Sequence, residues 1–262
     1  MMRARSARSS LACSSIMSKI TRISRKSTLA LAALASNSLN ANAYDFWLIP
    51  NLPDCAGPRV SIKRLSAVTL SAGDWDRVIA DETRAIELDP TKPVAFLTRG
   101  TAYLSKKDWN RTIADETRAI ELDPKSAFPF VVRASAYFNK KDWDRVIADE
   151  TRAIELDPKK VVAFFGRGSA YAKKGDWDRA IADLTRSIEL DSKTAKAFNN
   201  RGYAYNGKGD YDRAIADETR AIELDPKDAL ANFWRGVAYF NKGENEPAIA
   251  GYMRISRIWV TA

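Results

Sequence analysis

Apolar positions in this chain recur in helical register, broken at regular points by short polar turns. In residues 195–228, AKAFNNRGYAYNGKGDYDRAIADETRAIELDPKD, Phe198, Gly202 and Tyr205 fall on one face of a helix predicted over 195–208. Gly209 stands where glycine ends a helix. Asp210 stands where an N-cap carboxylate meets the first free amides of the next helix. That second helix carries Ala214, Ile215, Ala221, Ile222 and Leu224 on its apolar side, and Pro226 stops it. The predicted unit is two antiparallel helices joined by a tight turn.

The unit returns every 34 residues. Gly73-Asp74-Trp75-Asp76-Arg77 recurs as Lys107-Asp108-Trp109-Asn110-Arg111, Lys141-Asp142-Trp143-Asp144-Arg145, Gly175-Asp176-Trp177-Asp178-Arg179 and Gly209-Asp210-Tyr211-Asp212-Arg213, with a weaker copy from Gly243-Glu244-Asn245. A fixed helical period decides the architecture before any single residue does. Tyr103, Tyr137, Tyr171, Tyr205 and Tyr239 recur in the first helix, and Trp75, Trp109, Trp143, Trp177 and Tyr211 open the second. Gly100, Ala134, Gly168, Gly202 and Gly236 let the helices approach closely. Aromatic bulk beside a small residue is what an interlocked stack requires, so these columns are read as core.

The unit resembles the tetratricopeptide repeat (TPR) in its small residue, tyrosine, Gly-Asp-Trp/Tyr turn, Ala-Ile pair and terminal Asp-Pro. The resemblance covers 59–262 as six units: 59–92, 93–126, 127–160, 161–194, 195–228 and 229–262. The first is degenerate in its opening helix. The last is degenerate in its second helix, with Asn245 for the turn aromatic and Val260 for the closing proline. The wording Asp-Arg-Ala-Ile-Ala-Asp is similar to bacterial members in particular. The resemblance implies an all-α fold, a right-handed superhelical solenoid of stacked helix–turn–helix units. It also implies a non-catalytic scaffold whose first helices line a concave groove for a peptide or partner protein.

Carried onto this chain, the groove columns are Leu97, Val131, Phe165, Asn199 and Phe233; Thr101, Ser135, Ser169, Tyr203 and Val237; and Leu104, Phe138, Ala172, Asn206 and Phe240. The combined Lys and Asn pattern that the family uses to clamp a C-terminal carboxylate is absent, since these positions hold no lysine and, as asparagines, only Asn199 and Asn206. The first helices are apolar on nearly all sides over 94–104, 128–138 and 162–172. Either they touch each other in a tight stack, or these residues face an apolar or amphipathic ligand. Asn199, Asn200, Tyr203 and Asn206 interrupt the apolar run with hydrogen-bonding groups.

Two columns depart from the family. Arg99, Arg133, Arg167, Arg201 and Arg235 fill a position that is often leucine, and Glu82, Glu116, Glu150 and Glu218 one that is usually aromatic. Only Leu184 and Tyr252 are apolar there. Charges in helix-facing columns need partners. The expectation is a ladder of ion pairs, each arginine meeting Asp115, Asp149, Asp183 or Asp217 first and the glutamates second. Strict repetition of the Asp-Glu pair in unit after unit reads as architecture rather than acid–base catalysis.

Composition narrows the function. The formal charge is +9, but residues 1–43 hold seven basic residues and no acidic one; subtracting those seven from the 42 leaves 35 against 33. So balanced a body has no obvious stripe for tracking phosphates, and no nucleic-acid partner is expected. Histidine is absent, which removes the commonest general base and metal ligand. The two cysteines, Cys13 and Cys55, cannot make a metal site unaided. No enzyme, metal or cofactor is expected.

Residues 17–43 run from a basic stretch through a short apolar run to Ala41-Asn42-Ala43, the layout of a secretory signal peptide cut after Ala43. Met17 is the expected start. The expectation is a periplasmic or secreted protein with no membrane span in the mature chain; an organellar transit peptide and a cytoplasmic arm are the alternatives. Residues 44–58, with three prolines, form an apolar linker, read either as a cap over the first unit or as a competitor for the groove. At the other end no polar capping helix is read after Ile255, Ile258, Trp259 and Val260, as expected either of a self-associating end or of a truncated reading frame. Self-association through 243–262 is therefore the first rival reading of function, and an RNA-binding helical repeat the second.

Overall fold

Eleven α-helices and no strand make up residues 72–260, the part of the chain that this computed structural model describes, with side chains from Trp75 to Arg254. They all lie within the unit Phe46–Ala262. The leader 1–43, the arm 44–58, most of the opening helix of unit 59–92, and the side chains of Ile255, Ile258, Trp259 and Val260 lie outside the described residues.

The helices are α1 (Ala72–Leu88), α2 (Pro93–Ser105), α3 (Trp109–Leu122), α4 (Phe128–Asn139), α5 (Trp143–Leu156) and α6 (Val161–Lys173). They continue as α7 (Trp177–Leu190), α8 (Ala195–Lys208), α9 (Tyr211–Leu224), α10 (Ala229–Lys242) and α11 (Asn245–Val260). Even-numbered helices are the first helices of their units and odd-numbered ones the second. Each packs on its neighbours in sequence. First helices also pack on first helices of adjacent units (α2 on α4, α4 on α6, α6 on α8, α8 on α10), whereas no two of the described second helices do so. The result is a helical solenoid with a continuous layer of first helices and a more widely spaced layer of second helices.

Local chemistry fixes the unit boundaries. Asp108, Asp142, Asp176 and Asp210 cap the second helices, each accepting a hydrogen bond from the amide three residues on, at 3.1–3.3 Å. The residue before each cap turns the chain with a left-handed backbone, supplied by Gly175, Gly209 and Gly243 at φ +77 to +89°. Lys107 and Lys141 hold the same turn at φ 62° and 60°. A left-handed residue other than glycine costs about 1–2 kcal/mol, so the turn geometry outweighs a local penalty in those two units. Pro124, Pro158 and Pro226 follow the helix ends at Leu122, Leu156 and Leu224.

The core is built on small residues. Ala102, Ala136, Ala170, Ala204 and Ala238 are fully buried, as are Ala119, Ala153 and Ala221. Phe96, Phe130 and Phe198 and the tyrosines Tyr103, Tyr137 and Tyr205 fill the space between helices. The tryptophans that open the second helices are half-buried.

Candidate functional site

Two ladders of polar contacts tie successive units together. In the inner one, Arg99, Arg133, Arg167 and Arg201 each donate through Nε and Nη2 to both oxygens of one aspartate sixteen residues on: Asp115, Asp149, Asp183 and Asp217, at 2.7–2.9 Å. The third arm, Nη1, reaches the hydroxyl of a threonine sixteen residues back, Thr83, Thr117, Thr151 or Thr185, at 2.9–3.1 Å. Thr83 and Thr117 in turn donate to the carbonyls of Ile79 and Ile113, which leaves their oxygen lone pairs for the arginine. Each guanidinium thus joins the second helix of its own unit to that of the unit before. These pairs are largely enclosed, with side-chain exposure of 16–18% for the arginines and 9–11% for the aspartates. The hydrogen bonds to aspartate hold Arg99, Arg167 and Arg201 above the ordinary guanidinium range.

The outer ladder is exposed. Lys106, Lys174, Lys208 and Lys242, at the ends of first helices, pair with Asp76, Asp144, Asp178 and Asp212 one unit back, and Lys140 donates to Asn110 at 2.7 Å. Exposed pairs of this kind are worth about 0–1 kcal/mol. Neither the threonine column nor this lysine ladder was anticipated. Both are visible as columns at 34-residue spacing, but their pairing needs the curvature of the stack.

Glu116 and Glu218 enter the inner ladder through charge alone and not through hydrogen bonds. Glu116, Glu150 and Glu218 are fully buried, and neither carboxylate oxygen of Glu116 or Glu218 has a hydrogen-bond partner. They point at the small-residue column: a Cβ on Gly100 or Gly202 would come within 2.3 or 2.7 Å of the Glu116 or Glu218 Oε1. The arginines direct three N–H groups to aspartate and threonine, and Glu116 and Glu150 act on Arg133 and Arg167 through their charge. Burial, followed by the negative charge of Asp115, pushes the Glu116 carboxyl well above the usual range against the pull of Arg133. Burial does the same at Glu218, with Asp228 and Asp217 adding to it and Arg235 opposing.

The fifteen residues of the groove columns divide into two sets. Leu104, Val131, Ser135, Phe165, Ser169, Ala172 and Asn199 are buried. Packing of first helix on first helix encloses them, so the tight-stack alternative holds at these positions and they are withdrawn as ligand-facing residues. Their polar atoms are occupied too. Ser135 donates to the Val131 carbonyl at 3.0 Å, and Ser169 to the Phe165 carbonyl at 2.7 Å. Asn199 donates to Asp228 at 3.2 Å. Leu97, Thr101, Phe138, Tyr203, Asn206, Phe233 and Val237 are half-buried, and Phe240 is 61% exposed.

The accessible aromatic surface is concentrated around α8 and α10. Rings run from Trp177 to Tyr203 (edge to face, 5.8 Å between centroids), on to Trp234 (tilted, 4.7 Å), Phe233 (edge to face, 5.0 Å) and Tyr252 (tilted, 6.1 Å). Gly207 makes room for this run, since a Cβ there would sit 2.6 Å from the Trp177 indole. Asn206 donates to the Trp234 carbonyl at 3.1 Å and fixes α8 against α10. Trp234 was not among the expected groove residues; its column reads Thr98, Val132, Gly166 and Asn200 in the other units and gives no aromatic signal.

Among the described residues no helix is long and apolar enough to cross a membrane, and no three His, Cys, Asp or Glu side chains converge as metal ligands would.

No curated protein matches the chain. Solved structures do. YrrB, described as a TPR protein with an unusual peptide-binding site, is 22% identical with a TM-score of 0.58, over 68% of this chain and 91% of that one. A MamA fragment from Desulfovibrio magneticus RS-1 is 16% identical with a TM-score of 0.61, over 64% and 96%. A tetratricopeptide repeat protein from Parabacteroides merdae is 20% identical with a TM-score of 0.62, over 71% and 73%. At these identities the likeness is one of fold. A family model for the tetratricopeptide repeat matches residues 165–229 and, overlapping them, 199–257. With its 34-residue helix pairs and stacked first helices, the chain has the tetratricopeptide repeat fold and carries tetratricopeptide repeats over residues 165–257.

Proposed function

We propose that the protein is a non-catalytic scaffold that binds a peptide or partner protein on its layer of first helices, at the aromatic surface formed by α8 and α10. The observation that carries this reading is the half-buried run Tyr203, Trp234 and Phe233, with the exposed Phe240 two turns along α10 from Phe233 on the same helix face. Aromatic side chains that can be desolvated by a partner supply most of the energy in such contacts. Val237 on α10 is a lesser contributor, since it is half-buried and brings no ring, and Leu97 and Thr101 on α2 lie outside this surface. The peptide-binding site named for YrrB lies on a related fold and adds weight to the reading.

A displayed peptide library selected on the folded protein tests it. Selected peptides are expected to carry apolar or aromatic side chains. Phe240→Ser and Trp234→Leu are expected to weaken their binding about 30-fold, the ~2 kcal/mol of a hot-spot residue, with the far-ultraviolet circular dichroism unchanged. Affinities unaltered by both substitutions would overturn the assignment.

The tripartite composition of residues 17–43 supports export of this scaffold. A mature protein recovered outside the cytoplasm with an intact mass beginning at Tyr44 is the expected result; a cytoplasmic protein retaining residues 17–43 would contradict it.

A further inference from the structure

The inner ladder stops one rung short. Asp115, Asp149, Asp183 and Asp217 recur at 34-residue spacing, and the next position in that column is Gly251. Arg235 retains the other half of the arrangement, with Nη1 donating to Thr219 at 3.3 Å. Among the described residues no carboxylate pairs with it, whereas the four preceding arginines each have one. The ionisable groups that face Arg235 are Tyr239 on its own helix, Arg254 on α11 and the buried Glu218 on α9. Burial first, and then the charge of Arg254, pulls Arg235 below the ordinary guanidinium range, opposite in direction to Arg99, Arg167 and Arg201. The site tolerates a side chain: a Cβ at residue 251 would lie 3.4 Å from the Asn232 carbonyl oxygen and 3.5 Å from Gly236 Cα, ordinary contact distances.

A planar guanidinium held by one arm presents its remaining N–H groups as a fork that matches a carboxylate. The same fork receives a carboxylate four times elsewhere in this chain. We propose that Arg235, steered by Thr219 and with Arg254 beside it, is a receptor for a carboxylate brought by another molecule. This site lies in the arginine column rather than on the aromatic surface of α8 and α10, and stands independently of the function proposed above.

The test uses the whole protein, with acetate as probe against chloride at equal ionic strength, and four proteins: wild type, Arg235→Gln, Gly251→Asp and Gly251→Asn. Acetate is expected to raise the melting temperature of the wild type more than that of Arg235→Gln. It is expected to lose this advantage in Gly251→Asp, where the missing carboxylate is supplied within the chain. Gly251→Asp is expected to exceed Gly251→Asn, which has the same shape without the charge, by about ten-fold in the folding equilibrium. An acetate response equal in wild type and Arg235→Gln overturns the proposal, as does a Gly251→Asp no more stable than Gly251→Asn.

Sedimentation equilibrium then separates the sources. Self-association lost in both Arg235→Gln and Gly251→Asp identifies a second copy of the chain as the donor. A wild type that stays monomeric yet responds to acetate identifies a carboxylate of another molecule.

Discussion

Asp183→Ala lowers the unfolding free energy by about 3 kcal/mol, the lower end of the range for breaking a buried ion pair, because the pair here is mostly but not wholly enclosed. Arg167 then loses both bidentate bonds and keeps Thr151, the face of the Phe164 ring 5.9 Å from its Cζ, and the weaker pull of Tyr171 and Glu150. A guanidinium cannot shed its proton to escape, so the charge stays enclosed. Urea unfolding followed by circular dichroism measures the loss. The largest part of it is the cost of an orphaned charge rather than the worth of the pair. Arg167→Leu added to Asp183→Ala is therefore expected to recover most of the stability. A comparable break in the outer ladder, Asp144→Ala opposite Lys174, is expected to cost no more than about 1 kcal/mol. Equal losses at Asp183 and Asp144 would show that the inner rungs have no special weight. Stability in a repeat array is close to a sum over units and their interfaces, so an inner rung that spans two units weakens the coupling between them as well.

Glu116→Leu and Glu218→Leu each stabilise the protein at neutral pH, by about 1–3 kcal/mol, the mutational cost of a buried polar group without a hydrogen bond. The chain contains its own precedent: Leu184 occupies the same column, fully buried, and packs on Gly168 as Glu116 packs on Gly100. The effect depends on pH with a definite sign. Both carboxyls are raised by burial above the 4.5 of an unfolded glutamate, so the folded state favours their protonated form. Their contribution is complete below about pH 4.5 and is lost as the pH rises through the elevated folded values. The wild type is therefore expected to lose stability through these two groups as the pH rises from about 4.5 through their elevated folded values, and the double leucine variant to lose less. Melting temperatures of the two proteins across that interval make the comparison. A double variant less stable than the wild type at pH 7 would mean that the glutamates are satisfied in a way that leucine cannot replace.

The repeat, its helix pair and its turn chemistry were legible in residues 195–228, where helix α8, the left-handed Gly209 and the Asp210 cap occur as the spacing implies. Those features depend on local backbone rules. Which residues face a ligand was less legible, because it depends on how closely first helices approach each other. Phe165 and Phe240 look alike in sequence; one lies between α6 and its neighbouring first helices, and the other is exposed. The glutamate column misled for a related reason. A charge next to an arginine column invites a hydrogen-bonded pairing, yet at Glu116 and Glu218 the bond is not made, and the arginines direct theirs to aspartate and to the threonine of the preceding unit. Trp234 escaped notice because its column is not aromatic in any other unit.

Hydrogen–deuterium exchange of the protein with and without a library-selected peptide tests most directly whether binding occurs on the layer of first helices. Slowed exchange confined to α8 and α10, with the second helices α3, α5 and α7 unchanged, is the expected result. Protection concentrated on those second helices, with α8 and α10 unaffected, would contradict it.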